Sequence, residues 1–201
     1  MRSEFVTSAP VSTAFPAAGL PEIAFCGRSN VGKSSLLNRL CGAKIARTSR
    51  TPGRTQAVNF FSVHGRDGDY MLADLPGYGF AKAPKSVRGS WYGLIETYLG
   101  RELAAVLMLI DIRRDVTAED REIFEWLEDN GAKVHVIATK ADKLSKAHRK
   151  PVANKIGVAL GADRQKVLPV SSLDGLGIEE LRERLGRIAV RQNTVDSRDL
   201  G

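Results

Sequence analysis

Residues 27–34 read Gly-Arg-Ser-Asn-Val-Gly-Lys-Ser, and this octet decides the architecture of the chain. It fits the phosphate-loop pattern G-x-x-x-x-G-K-[ST] at every fixed position. Gly27 and Gly32 let the backbone bend so that successive N–H groups face an anion. Lys33 sets a positive charge on the outer phosphates, and the Ser34 hydroxyl can ligate a Mg²⁺ that bridges two of them. Upstream lies the apolar run Ile23-Ala24-Phe25-Cys26, of strand type. Downstream, Leu36, Leu37 and Leu40 recur at helical spacing. A strand, the loop and then a helix is the context the motif requires, because the loop hands phosphates to a helix N-terminus.

Working outward, the 201 residues are enough for one domain with a proper core, and 43% hydrophobic with 26% charged residues is ordinary for a globule. The apolar run Ala104–Ile110 is far too short for a membrane span. The N-terminal stretch has no long apolar segment and carries prolines at 10, 16 and 21, so no signal peptide is expected. Two cysteines, Cys26 and Cys41, make neither a disulfide framework nor a metal site. A reduced, cytoplasmic protein is expected. The net charge is +7 and is unevenly spread. Arg28, Lys33, Arg39, Lys44, Arg47, Arg50, Arg54 and Arg66 face no acid between Ile23 and Arg66. Lys140, Lys143, Lys146, Arg149, Lys150 and Lys155 face only Asp142. Acids gather between Asp115 and Asp129. One basic face for a polyanion is the reading this asymmetry favours.

Strand and helix signals alternate from residue 21 onward. Ala57–Val63 and Tyr70–Asp74, joined by the turn Arg66-Asp67-Gly68-Asp69, predict an antiparallel hairpin. Leu103–Ile112, Val134–Ala138 and Val167–Val170 are further strands. Trp91, Leu94, Ile95, Tyr98 and Leu99 share a helical face that Gly100 ends. Thr117-Ala-Glu-Asp120 reads as an N-cap for a helix stopping at Gly131. Ile178, Leu181, Leu185 and Ile188 mark a last helix. The expectation is a three-layer α/β domain, with a six-stranded, mostly parallel sheet containing one antiparallel strand and helices on both faces. Residues 1–20 are expected to be an N-terminal extension, 21–191 the domain and 192–201 a flexible tail.

Each remaining motif follows a strand, which puts all of them at one sheet edge, where such folds bind ligands. Asp74-Leu75-Pro76-Gly77 offers a carboxylate for Mg²⁺, through water, and the Gly77 N–H for a γ-phosphate. In Thr139-Lys140-Ala141-Asp142, the Asp142 carboxylate can accept from N1–H and the 2-amino group of guanine together, which adenine lacks. The Lys140 stem can lie on the purine face. Ser171-Ser172 offers backbone N–H groups to the guanine O6. The polar segment Ser49–Gln56 carries Thr55 as a second hydroxyl ligand for Mg²⁺, with Thr51 an equal candidate on chemistry alone. A loop ordered by γ-phosphate and released on hydrolysis is a switch.

These five elements in this order resemble the G1 to G5 signature of translation-factor-type GTPases. GRSNVGKSSLLN, SRTPGRTQAVNFF and DLPGYGFAKAPKS resemble, more narrowly, the EngB (YihA/YsxC) family of bacterial ribosome-biogenesis GTPases, over about Pro21 to Ala189. The resemblance implies a P-loop NTPase G domain that hydrolyses GTP with Mg²⁺, acts in large ribosomal subunit assembly, and is needed for normal cell division and septation. It implies that Gly27, Arg28, Ser29, Asn30, Val31, Gly32, Lys33 and Ser34 bind phosphates, and that Ser34, Thr55 and, through water, Asp74 serve the metal. Gly53, Arg54, Thr55, Gln56 and Ala57 would form the first switch. Asp74, Leu75, Pro76 and Gly77 would meet the γ-phosphate side. Thr139, Lys140, Ala141 and Asp142 would read guanine, and Val170, Ser171 and Ser172 would complete the pocket. Lys33, Thr55 and Gly77 are the candidate catalytic groups.

The chain departs from the wider GTPase pattern twice. Thr139 stands where Asn is usual, so a weaker tether to the phosphate loop is expected. Tyr78 stands where many GTPases carry a water-orienting Gln, and neither His64 nor His135 lies in a motif that replaces it. No arginine finger is identifiable, and its absence alone is worth about 10³ to 10⁵ in rate. Slow intrinsic hydrolysis, accelerated by a ribosomal partner, follows. Asn30 occupies the position that holds an activating K⁺ in related GTPases. The expected partners are GTP or GDP and the large subunit through a basic face, with the chain a monomer. Two rivals are a P-loop kinase, which leaves Thr139–Asp142 without a task, and a GTP-binding scaffold at the division site with little turnover.

Overall fold

The computed structural model describes residues 2–46, 57–79, 85–162 and 167–196. Among them are strands β1 (Arg2–Ala9), β2 (Glu22–Gly27), β3 (Val58–Gly65), β4 (Gly68–Asp74), β5 (Leu103–Asp111), β6 (Val134–Thr139) and β7 (Leu168–Pro169). The helices are α1 (Lys33–Cys41), α2 (Lys85–Leu99), α3 (Ala118–Asp129), α4 (Lys146–Leu160) and α5 (Ile178–Asp196). The strands form one sheet in the order β1-β3-β4-β2-β5-β6-β7. β3 is antiparallel to both β1 and β4, whereas the pairs β2–β4, β2–β5, β5–β6 and β6–β7 are parallel. β3 is therefore the single reversed strand.

The pleat sorts the core into two layers. Along β2, Ile23 and Phe25 point to one face and Ala24 and Cys26 to the other. The first face is covered by Leu36, Leu37 and Leu40 of α1 and by Ile178, Leu181 and Leu185 of α5. The second is covered by Ile95 and Tyr98 of α2, Ile123, Phe124 and Leu127 of α3, and Ala153, Ile156 and Leu160 of α4. Strand β2 is buried along its whole length, as a parallel strand covered on both faces must be. Parallel register also aligns strand ends: Phe25 lies opposite Asp74, Gly27 opposite Leu109, and Asp111 opposite Thr139. The ends of β2, β4, β5 and β6 thus lie along one edge.

The sheet has seven strands, not the six expected. The additional one is β1, in the segment expected to be an extension. It pairs with β3 from Arg2–His64 to Ala9–Val58, broken by a bulge between Phe5 and Thr7. The rest of the lead-in is anchored by side chains. Phe15 packs edge-on against Phe60 and Tyr98, with ring centroids 5.7 and 5.6 Å apart. Arg101 donates to the Pro16 carbonyl at 3.0 Å and to the buried Glu22 carboxylate, which also accepts from the Tyr98 hydroxyl at 3.0 Å. Helix α4 is an element the sequence reading does not place. Its apolar stripe is thin and Pro151 sits inside it, a residue that argues against a helix interior. Helix α5 continues to Asp196, into the expected tail, and 197–201 lie outside the described residues.

Candidate nucleotide site

The phosphate loop joins β2 to α1. Its backbone takes positive φ at Asn30 (66°) and Gly32 (107°). Gly32 adopts this without a Cβ penalty, and Asn is among the few other residues that visit the region. The Leu36 N–H donates to the Gly32 carbonyl at 2.9 Å, which starts the helix. The N–H groups ahead of it have no intrahelical acceptor and the helix dipole favours an anion there. Lys33 is largely buried and its ammonium contacts the equally buried Asp74 carboxylate. A phosphate entering the loop would compete with Asp74 for that ammonium.

The Asp74–Tyr78 segment is fastened to the phosphate loop by its backbone. The Leu75 N–H donates to the Phe25 carbonyl at 3.1 Å. The Tyr78 N–H donates to Gly27 O at 3.2 Å, and the Ser29 N–H donates to Tyr78 O at 3.0 Å. Gly77 lies against Ser29 so closely that a Cβ there would be 3.0 Å from the Ser29 nitrogen. The Trp91 indole donates to Pro76 O at 2.9 Å, linking the segment to α2. Tyr78 is only 4% exposed, and its hydroxyl donates to Asp120 Oδ1 at 3.0 Å. Burial first, and then the neighbouring Cys26 and the Asp120 carboxylate, push this phenol far above its ordinary range, so it stays protonated. Asp120 and Thr117 form the expected capping box of α3. Arg28 reaches the same place, donating to Thr117 Oγ1 at 3.0 Å and pairing with Glu119 at 3.1 Å. Sequence reasoning missed this cluster because the Thr117–Asp120 signal carries a sufficient local explanation as a cap.

The Thr139–Asp142 loop is tied to the phosphate loop twice. Thr139 is buried, and its hydroxyl donates toward Val31 O at 2.8 Å, with Ile110 O at 3.2 Å as a second acceptor. The Thr-for-Asn departure thus keeps one side-chain tether to the phosphate loop. Lys140, in the left-handed region at φ 60°, donates to Asn30 O at 2.7 Å. Its ammonium also pairs with Asp111 Oδ2 at 2.9 Å. Asp142 accepts from the Ser171 hydroxyl at 2.9 Å and pairs with Lys143 at 3.0 Å. Burial opposes charge at Asp142, but the bonds from Lys143 and Ser171 outweigh it and hold the carboxyl below its usual range. The Ala141 N–H donates to Val170 O at 3.0 Å, and Val170 N–H to Ala138 O at 2.8 Å, seating the base loop beside the Ser171 turn.

The structure therefore brings together the candidates of residues 27–34, 74–77, 139–142 and 170–172. Ala57 is described at the start of the hairpin, whereas Gly53, Arg54, Thr55 and Gln56 lie outside the described residues. Asp111 is a site neighbour the sequence reading did not nominate. Burial works against its charge, but Arg113 and Lys140 overcome this and keep its carboxyl well below the ordinary range. Its position as the last residue of a central parallel strand was the available signal. Beyond Ser172 a groove of about 690 Å³ runs between α1 and α5, lined by Ser35, Asn38, Arg39, Lys44 and Arg182 among others.

Residues 22–140 match the family described as 50S ribosome-binding GTPase. A probable GTP-binding protein EngB of Clostridioides difficile (strain 630) is 44% identical over 187 residues, covering 91% of each chain. A crystal structure of a probable GTP-binding protein engB superposes with TM-score 0.66 at 25% identity, covering 85% of this chain and 99% of that one. Era in complex with MgGDPNP and nucleotides 1506–1542 of 16S ribosomal RNA gives TM-score 0.72 at 24% identity, over 86% of this chain and 57% of Era, a likeness of fold. Because the agreement extends across the whole domain and is not confined to the phosphate loop, the chain belongs to the EngB family of P-loop GTPases.

Proposed function

We propose that the chain is a GTP/GDP switch with slow intrinsic hydrolysis that acts in assembly of the large ribosomal subunit, in the cytoplasm, with normal cell division and septation depending on it. The observation that carries this reading is the double tether of Thr139 to Val31 and Lys140 to Asn30. A base reader at 139–142 and a phosphate cradle at 27–34 would thereby be kept at a fixed separation, as recognition of one guanine nucleotide requires. Phosphates would meet the backbone of residues 27–34 and the Lys33 ammonium. Asp142 would take the N1–H and 2-amino donors of guanine, with Val170, Ser171 and Ser172 around the O6 side. The Ser34 hydroxyl and the Asp74 carboxylate are hard oxygen donors, a set that suits Mg²⁺ arriving with phosphates, and Thr55 would add a third. Bound there, Mg²⁺ would neutralise charge developing on the phosphates. Asn30 would favour K⁺, and equal turnover in Na⁺ and K⁺ would count against that.

Lys33→Ala is expected to abolish GTP binding or turnover, and retained GTPase activity would overturn the phosphate-loop assignment. Asp142→Asn is expected to shift preference from guanine toward xanthine nucleotides, because a carboxylate acceptor becomes partly a donor. An unchanged preference for GTP would overturn the base assignment. The engaged Tyr78 hydroxyl favours one second reading, a GTP-bound scaffold at the division site with little turnover. GDP formed in a single turnover would decide against it.

A further inference from the structure

Helix α4 carries a charge pattern unlike that of its neighbours. Residues 146–160, KAHRKPVANKIGVAL, hold three lysines, an arginine and a histidine, with no Asp or Glu. α3, which packs beside α4, has six acids and one arginine in AEDREIFEWLED. α5 balances itself, pairing Arg182, Arg184 and Arg187 with glutamates three or four residues away. On α4, Arg149 is occupied, donating to the carbonyls of Ala141 and Leu144 at 3.0 Å each behind the base loop. Lys155 pairs with Asp115 at 3.0 Å. Lys146 and Lys150 are exposed and make no ion pair among the described residues.

This arrangement costs the helix stability on its own. Lys146 and Lys150 are like charges at i,i+4, which repel. They sit in the first turn and a half, which has no acid in its first turn, where the helix dipole disfavours cations. A row of phosphates laid across the helix would reverse both penalties. Lys146 and Lys150 lie one turn apart on the same helix face, roughly 6 Å at about 1.5 Å per residue, a length that meets two neighbouring backbone phosphates. The acidic α3 alongside repels a polyanion and so orients it onto α4.

We propose that the solvent face of α4, centred on Lys146 and Lys150, is a docking surface for structured RNA held through its phosphates. This rests on the ribosomal reading above and identifies the face and the chemistry. Neither lysine belongs to the nucleotide site, so GTP affinity should not change in their variants.

The experiment measures binding of the full chain, with GTP analogue, to purified 50S subunits and to protein-free 23S rRNA across a salt series. The wild type is compared with Lys146→Gln/Lys150→Gln, with Lys146→Arg/Lys150→Arg, and with Arg66→Ala/Arg187→Ala, which removes two charges elsewhere. Loss of two phosphate contacts should flatten log K against log[salt] by about 1.4 to 1.8 in the Gln pair. The Arg pair and the distant control should retain the wild-type slope. A Gln pair that binds rRNA with the wild-type slope, or a distant control that loses as much, overturns the proposal. Wild-type binding to subunits with none to free rRNA overturns the RNA assignment in favour of a ribosomal protein. No wild-type binding to subunits, with the GTP analogue or in a parallel series with GDP, would instead refute the ribosomal reading itself.

Discussion

Tyr78→Phe tests whether the residue in the water-orienting position takes part in chemistry or holds the fold. The substitution removes one oxygen and nothing else. That oxygen donates to Asp120 Oδ1 at 3.0 Å within a nearly fully buried environment. A hydrogen bond to a charged group contributes about 1.5–3 kcal/mol. Asp120 retains the Thr117 N–H at 2.9 Å and the Thr117 hydroxyl at 2.7 Å, so the loss should fall near the lower figure. For a domain of this size about 1.5 kcal/mol lowers Tm by roughly 3–6 °C. The backbone bonds of Tyr78 to Gly27 and Ser29 survive, so the phosphate loop keeps its position. Single-turnover GTP hydrolysis should therefore stay within about threefold of wild type, a difference of under 1 kcal/mol in barrier. Scanning calorimetry and quenched hydrolysis measure the two quantities. A Tm shift below 1 °C together with hydrolysis slowed more than tenfold would refute the reasoning, because the hydroxyl would then be acting on the reaction.

Thr139→Val deletes the buried hydroxyl that meets Val31 O at 2.8 Å, leaving a carbonyl short of a donor. Stability should fall by about 1–3 kcal/mol and GDP affinity several-fold, with Thr139→Asn recovering most of both. An unchanged GDP Kd in Thr139→Val would show that the tether does not position the loop. Asp111→Asn should reveal a pH-dependent contribution. The folded carboxyl lies below its usual range while the unfolded one titrates near 3.9, so the stabilisation is complete above about pH 5 and disappears as pH falls through the folded value. The Tm difference between wild type and variant should be flat from pH 7 to 5 and shrink below pH 4, and a constant difference down to pH 3 contradicts it. Burial raises the Cys26 thiol to about 12 and also raises Cys41. Neither should be alkylated in the folded protein at pH 8, whereas both should react in denaturant; rapid labelling of Cys26 in the native state would show the core is more open than described.

The fold was readable wherever one local rule was strong enough to stand alone. Gly32 and Lys33 in GRSNVGKS, the capping box at Thr117–Asp120 and the hairpin turn at Arg66–Asp69 each specify geometry within a few residues, the structure tightening that turn to the two residues Arg66 and Asp67. The same local logic failed at β1, whose polar sequence becomes a strand because β3 offers an open edge and Phe15, Glu22 and Arg101 fix the chain beside it. It failed at α4, where packing of Ala153, Ile156 and Leu160 outweighs Pro151 and a thin apolar stripe. In the site, the motif residues were legible and their partners were not. Nothing near Tyr78 in sequence foretells a bond to Asp120, 42 residues on, or names Asp111 as the acceptor for Lys140.

The sequence alone determined the phosphate loop, the order of strands and helices after residue 21 except α4, and the position of the Thr139–Asp142 motif after a strand, because dihedral preferences and apolar spacing act over a turn or a single element. Only the tertiary structure decided the seventh strand, the survival of the Thr139 tether, the diversion of the Tyr78 hydroxyl and the exposure of an acid-free helix. Those depend on which strand ends the parallel register brings side by side and on where burial forces a polar atom to find its partner. Both are properties of contacts between residues far apart in the chain.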